Sequence, residues 1–199
     1  MLGQTWTGWY AYNNDQRSHG EPTVTLAEYL GTGHFGEATF ENWESEFLQM
    51  AFYVLLTVWL FQLGSSESKR PDVIELVDLD PRRSPARDKA PWPVRRGGFV
   101  LTLYENSLSL AFAILFLLSF ALHVTTGVGE FNEQRLAHGE PRASALDYAT
   151  SSQFWFESFQ NWQSEFLSLA AMVTFTIVLR QRGSPESKPV DAPHWDTGS

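Results

Sequence analysis

Polar and apolar positions along this chain are gathered into blocks rather than interleaved. Three apolar stretches carry no charged residue. The longest, 106–129, runs for 24 residues between Glu105 and Glu130. A hydrocarbon core of about 30 Å needs roughly 20 apolar helical residues, so this stretch predicts a transmembrane helix over 104–125. A second run, 47–66, has 20 residues between Glu46 and Glu67 and predicts a spanning helix over 47–63. The third, 166–179, has only 14, the length of a buried soluble helix when taken alone. Arg180 and Arg182 beside it are suited to snorkel to an interface, and the run copies the second stretch. It is therefore read as a third span, 163–181.

The copying extends well beyond that run. A shift of 119 residues aligns 7–72 on 126–191 without a gap, and 27 of the 66 positions are identical. Unrelated sequences would match at about 4 positions, at roughly 6% each. The strongest blocks are HGEP (19–22 and 138–141), NWESEFL and NWQSEFL (42–48 and 161–167), and GSSESK and GSPESK (64–69 and 183–188). The chain thus divides into a first repeat (1–72), a linker (73–100), a second repeat (101–191) and a tail (192–199). The apolar helix that leads into the second copy has only the stub MLGQTW as its counterpart before the first. The expected fold is all-α and polytopic, with three transmembrane helices and a fourth, N-terminal one missing from the pattern. Two spans per complete unit make the duplication parallel, its axis along the membrane normal.

Charge orients this arrangement. The segment 64–98 holds eight Lys and Arg, whereas 1–46 holds only Arg17, and 127–165 only Arg135 and Arg142. By the positive-inside tendency the linker and C-terminus are cytoplasmic and the repeat loops lie outside. Half of the ten prolines fall in the linker, at 71, 81, 85, 91 and 93, so 73–100 and the tail 192–199 are read as disordered. Within the linker, DVIELVDLD (72–80) is read as solvated rather than as a docking strand. The outer loop of the second copy, 127–161, is better ordered. A helical segment over 130–138 stops at Gly139 and Pro141, Ser144 caps a short helix through Tyr148, and a longer helix starts near Ser152 and enters the membrane.

Three sets of residues recur in both copies and are candidates for chemistry. Asn42, Ser45 and Glu46 reappear as Asn161, Ser164 and Glu165, a polar set near the outer mouth suited to a cation or proton if the repeat axis brings its halves together. Polar capping or interhelical hydrogen bonding is the simpler account. Phe40, Trp43 and Phe47 recur as Phe159, Trp162 and Phe166, and their i, i+3, i+7 spacing makes an interfacial aromatic face ahead of a ligand pocket. His19 and Glu21 recur as His138 and Glu140; His and Glu are zinc ligands, but Gly and Pro beside them also answer a helix stop. His34 and His123 align with Gln153 and Gln4 and so are not symmetric ligands; His123 is expected to hydrogen-bond a neighbour near the outer end of its span. The Gly-Ser-x-Glu-Ser-Lys blocks read as helix-end turns ahead of a lipid-headgroup contact.

Composition narrows the function class. A net charge of −9 argues against nucleic-acid binding, and the absence of Cys removes disulfide and thiolate chemistry. No P-loop, GxSxG, HExxH or CxxCH motif is present. No cofactor is called for, and the chain is read as a non-enzyme.

The doubled NWxSEFL block, with HGEP upstream and QRGSPESKPVD downstream, resembles a family of uncharacterised bacterial integral-membrane proteins carrying a domain-of-unknown-function label. That resemblance implies a bacterial inner-membrane location and an additional leading helix, and it implies no activity. The leading expectation is a structural or accessory membrane component whose partners are the bilayer and itself or another membrane protein. A small transporter or channel with Glu46 and Glu165 at its mouth is the first alternative, and a metal-binding protein using the HGEP histidines is the second.

Overall fold

The computed structural model describes residues 2–70, 73–83 and 87–198. Among them there is no β-strand. The helices are α1 (Leu2–Ser18), α2 (Leu26–Tyr29), α3 (Gly33–Leu56), α4 (Trp92–Arg96), α5 (Gly98–Glu105), α6 (Ser107–Ala137), α7 (Ala145–Ala149) and α8 (Ser152–Val178).

Local chemistry explains several boundaries, and it recurs at the 119-residue offset. Thr25 caps α2 in a reciprocal box with Glu28, and Ser144 caps α7 the same way with Asp147. Each box satisfies backbone N–H groups that the helix leaves open and is worth about 1 kcal/mol. Helices α1 and α6 both end ahead of a glycine with positive φ, Gly20 at 77° and Gly139 at 75°. A side chain there would be strained, and Gly lets the chain reverse. Asn13 then exchanges two hydrogen bonds with the Val24 backbone, at 2.7 and 2.9 Å, and Asn132 does so with Ala143 at 2.7 and 3.0 Å.

The chain forms two compact units. The first comprises Met1–Phe47 and Ile114–Gln163. It contains α1, α2, α7, the N-terminal parts of α3 and α8, and most of α6. Gly127 on α6 is buried, and a Cβ there would lie 2.6 Å from the Tyr148 hydroxyl. Only Gly allows that approach, which seats Tyr148 against α6.

The second unit comprises Leu48–Ala113 and Ser164–Ser199. Within it Ser65 and Thr176 share a buried hydrogen bond of 3.1 Å, and Thr197 accepts from the Gly64 N–H at 2.9 Å. Ser68 accepts from Gln62 N–H at 2.8 Å, as Ser187 does from Gln181 N–H at 2.9 Å.

Burial is inverted relative to a water-soluble domain. Among the described residues the buried set is richer in polar side chains, including Glu44, Ser45, Ser65, Ser119, His123 and Ser158, than in apolar ones. Large apolar residues on α6 are exposed, with Ile114 at 63% and Leu117 at 62%.

The span count differs from the expectation of three. Among the described residues one helix, α6, is long and apolar enough to cross a membrane, and only 11% of its most apolar window is buried. At 1.5 Å per residue its 31 residues reach about 46 Å. It carries both the apolar run and the outer segment 130–137 in one piece, and it starts after a break at Asn106, inside the range 104–125. The last glutamates of α3 and α8, Glu46 and Glu165, leave uncharged helical stretches after them of about 15 and 20 Å against a core of about 30 Å. The stretch 47–63 is not one helix, because α3 ends at Leu56. There Thr57 bonds back to the carbonyls of Tyr53 and Val54 at 2.9 and 3.2 Å, and the backbone tightens into i to i−3 bonds at Val58 and Trp59.

The segments read as disordered carry local structure. Three 3₁₀ turns, Leu76–Asp78, Pro81–Arg83 and Arg87–Lys89, precede α4 in the linker. In the tail the ammonium of Lys188 donates to the carbonyls of Pro193, His194 and Asp196 at 3.3, 3.0 and 2.8 Å.

Candidate functional site

The concentration of chemistry lies inside the first unit. Three glutamates, Glu37, Glu41 and Glu44, follow one another at i, i+4 and i+7 on α3 and so share one helical face. Helix α6 contributes His123, α7 contributes Tyr148, and α8 contributes Glu157, Asn161 and Trp162.

His123 and Glu44 are both fully buried, with Nδ1 of the imidazole 2.9 Å from Glu44 Oε2. The other Glu44 oxygen accepts from the Trp162 indole N–H at 3.0 Å. With Nδ1 donating to a carboxylate, the neutral imidazole carries its lone pair on Nε2. That Nε2 is buried and, among the described residues, has no hydrogen-bond partner; the Glu157 carboxylate lies 4.0 Å away. The His123 ring packs against Phe154, itself fully buried, with centroids 4.8 Å apart.

Tyr148 joins two carboxyls. Its hydroxyl is 3.0 Å from Glu37 Oε1 and 2.8 Å from Glu157 Oε2. A phenol has one proton to donate, so it serves both carboxyls only when one of them is protonated and donates in return. Glu37 is suited to be that acid. Burial pushes its carboxyl from 4.5 up to about 8; the Tyr148 hydrogen bond opposes this, and repulsion from Glu157, Glu130 and Glu41 adds to it. Burial also raises Glu41, opposed by attraction to His123 and reinforced by repulsion from Glu157 and Glu44. Asn161 donates to Glu41. Burial, with Glu37 and Glu157 beside it, raises Tyr148. Among the described residues no Lys or Arg forms an ion pair with any of these four glutamates. Glu37, His123 and Glu157 bring one ligand atom each within 4.8 Å of one another.

The polar set read from the repeat is distributed differently. Asn161 alone joins the carboxylate cluster. Asn42 donates to the Ala38 carbonyl at 2.6 Å and Ser45, although buried, to the Asn42 carbonyl at 2.8 Å, both on their own helix. Glu46 and Ser164 are exposed. Glu165 is half-buried, and its carbonyl accepts from Gln49 at 2.9 Å. Of the aromatics, Phe40, Trp43 and Phe47 stack along α3 with centroids 5.7 and 6.4 Å apart, Phe159 meets Trp162 at 5.3 Å, and Phe166 meets Phe52 at 5.7 Å. His19, Glu21, His138 and Glu140 are all exposed. Nδ1 of His19 meets the Asp15 carbonyl at 3.0 Å, and that of His138 the Gln134 carbonyl at 2.8 Å, each in the last turn of its own helix. In the second unit a cavity of about 470 Å³ is bordered by Lys69, Glu75 and Lys188. Lys69 is paired with Asp78 at 2.5 Å and Lys188 holds the tail carbonyls, so these ammonium groups serve the fold.

Repeat reasoning passed over Glu37, Glu41 and Glu44, read His123 only as hydrogen-bonding a neighbour, which it does with Glu44, and passed over Glu157, because the two copies differ there. Their counterparts are Phe156, Gln160, Gln163, Gln4 and Ala38. Tyr148 has an identical counterpart, Tyr29, but that hydroxyl meets His34 at 3.0 Å instead of carboxyls. Two signals were readable: acids at i, i+4 and i+7 leading into an apolar helix, and a histidine inside the longest uncharged run.

No curated protein and no solved structure matches the chain. A family model described as a domain of unknown function, DUF6766, matches residues 1–199, and the chain belongs to that family.

Proposed function

We propose that this chain is a multi-pass membrane protein of the bacterial inner membrane that binds a small cation at the buried cluster of its first unit. The observation that carries the reading is the convergence of Glu37, Glu41, Glu44 and Glu157 around one buried imidazole. Buried carboxylates are costly unless protonated or paired with a cation, and among the described residues no Lys or Arg is ion-paired with them. A proton on Glu37 is the simplest such cation. The inverted burial supports the membrane reading, because polar groups turned inward beneath exposed Leu, Ile and Phe suit a hydrocarbon surround. In this reading only the uncharged C-terminal parts of α3 and α8 cross with α6, Glu37, Glu41, Glu44 and Glu157 lie on the outer side of those spans, and the basic linker and C-terminus face the cytoplasm. The duplication of the loops accounts for the recurring caps and turns. The role is non-enzymatic, and a second copy or another membrane protein covers apolar surface left open.

A second reading, transport, is favoured by the buried hydroxyls of Thr39 and Ser158, which among the described residues have no hydrogen-bond partner and suit a hydrated interior. Glu46 and Glu165 then stand at the mouth. Two experiments test these readings. The expressed chain should stay in the membrane pellet after alkaline washing and need detergent for release; release by alkali alone would overturn the membrane reading. Proteoliposomes under a pH gradient then separate binding from transport. Binding predicts no flux above empty vesicles, whereas transport predicts flux that the Glu46→Gln plus Glu165→Gln variant abolishes.

A further inference from the structure

We propose that Glu37, His123 and Glu157 form a site for a divalent first-row transition cation. The inference rests on the reading of the cluster as a cation site and names the ligand that it takes.

The first support is geometry. Three atoms no more than 4.8 Å apart surround a point no more than about 2.8 Å from each, against Zn–N and Zn–O distances of about 2.0–2.2 Å. Small side-chain rotations close that gap. The second is the state of His123. Its Nε2 is fully buried, carries no hydrogen bond and is one of the three converging atoms. An apolar residue would fill this place at lower cost than an imidazole whose second nitrogen has no partner. The third is the support behind that ring. Glu44 receives the Nδ1 proton at 2.9 Å and is itself held by Trp162 at 3.0 Å. A carboxylate behind a ligating imidazole fixes its tautomer and aims Nε2. The Tyr148 hydroxyl lies within hydrogen-bond distance of Glu37 and of Glu157, and with both ionised it donates to one of them.

Charge and ligand type select the ion. Within the three-ligand set, two carboxylates and one neutral imidazole balance the charge of a divalent cation. One nitrogen and two oxygens suit Zn²⁺, Mn²⁺ or Fe²⁺, and the absence of thiolates disfavours Cu⁺. The titratable groups that face the site are Glu37, Glu41 and Glu44 from α3, His123 from α6, Tyr148 from α7 and Glu157 from α8. Glu41 remains outside the three-atom set, bound to Asn161.

The test uses the full chain in mild detergent, stripped with a chelator and titrated with Zn²⁺ and with Mn²⁺ by calorimetry, with bound metal counted by mass spectrometry. The expected result is one ion per chain. Glu157→Gln should weaken binding at least tenfold, and Glu44→Gln, which acts through His123, by roughly 10- to 100-fold. His123→Gln should abolish binding; if that variant fails to fold, Glu157→Gln carries the test. The His19→Ala, His138→Ala double variant should bind as the parent does. Absence of stoichiometric binding, binding indifferent to Glu157→Gln, or binding lost with His19 and His138 each overturns the assignment. If no metal binds while Glu37→Gln still alters the pH dependence of stability, the metal inference falls and a proton is the cation. If neither effect appears, both readings fall.

Discussion

Replacing Glu37 by Gln isolates the electrostatic cost of the buried cluster. The amide keeps the shape of the carboxylic acid and can donate to Tyr148 as the protonated acid does. In the folded chain the Glu37 carboxyl is raised from 4.5 to about 8. The folded state therefore holds a proton that the unfolded state releases near 4.5. Linkage then requires stability to fall as pH rises between these two values, with the full loss reached above the folded one. A shift of this size corresponds to about 4–5 kcal/mol across the window, at about 1.4 kcal/mol per unit. Gln at this position does not titrate, so that loss disappears. The assay is thermal unfolding in detergent, followed by tryptophan fluorescence. Parent and variant should coincide near about pH 4 to 5 and diverge steadily above it. With roughly 2–4 °C per kcal/mol for a chain of this size, the variant should melt on the order of 10 °C higher near about pH 9. Glu41, raised by the same burial, contributes a slope common to both proteins. Parallel curves across the whole range would refute the reasoning, because Glu37 would then be ionised at neutral pH in the folded state.

Other substitutions probe the frame around the cluster. Glu44→Ala removes the only hydrogen-bond partner of the His123 ring among the described residues and frees the Trp162 N–H inside the fold; it should cost about 3–5 kcal/mol in chemical denaturation. Gly127→Ala places a methyl group 2.6 Å from the Tyr148 hydroxyl, and should cost about 1–3 kcal/mol and flatten the pH dependence assigned to Glu37. Gly139→Ala and Gly20→Ala force a side chain into positive φ at equivalent turns, so each should lower stability by about 1–2 kcal/mol in the same assay.

How much of this was legible follows from what kind of signal each feature leaves. Caps and stops are local, so Ser144, Gly139 and the start of α8 near Ser152 could be read directly from residue types. The end of α3 at Leu56 was not, because Thr57, Val58 and Trp59 are as apolar on average as a spanning helix. The helix there gives way to i to i−3 backbone bonds at Val58 and Trp59, a change that no residue type announces. Hydropathy averaging also hides direction. Glu44 counts against a span in a window, yet its side chain is buried. The cluster itself is a tertiary fact. Nothing within 40 residues of His123 announces that its partner is Glu44, 79 positions away. The repeat drew attention to positions that match, such as Asn42 and Asn161, whereas the buried acids stand where the copies have diverged. Duplication supplied two similar frames, and the chemistry occupies the differences between them.

The most direct test of the central claim is an infrared titration of the detergent-solubilised chain, following the carbonyl band of protonated carboxylic acids. The account predicts such a band at neutral pH, lost on alkaline titration with an apparent pKa near the Glu37 value of about 8, and absent from Glu37→Gln. A spectrum without protonated carboxyl at neutral pH, or a band unchanged in Glu37→Gln, would contradict it.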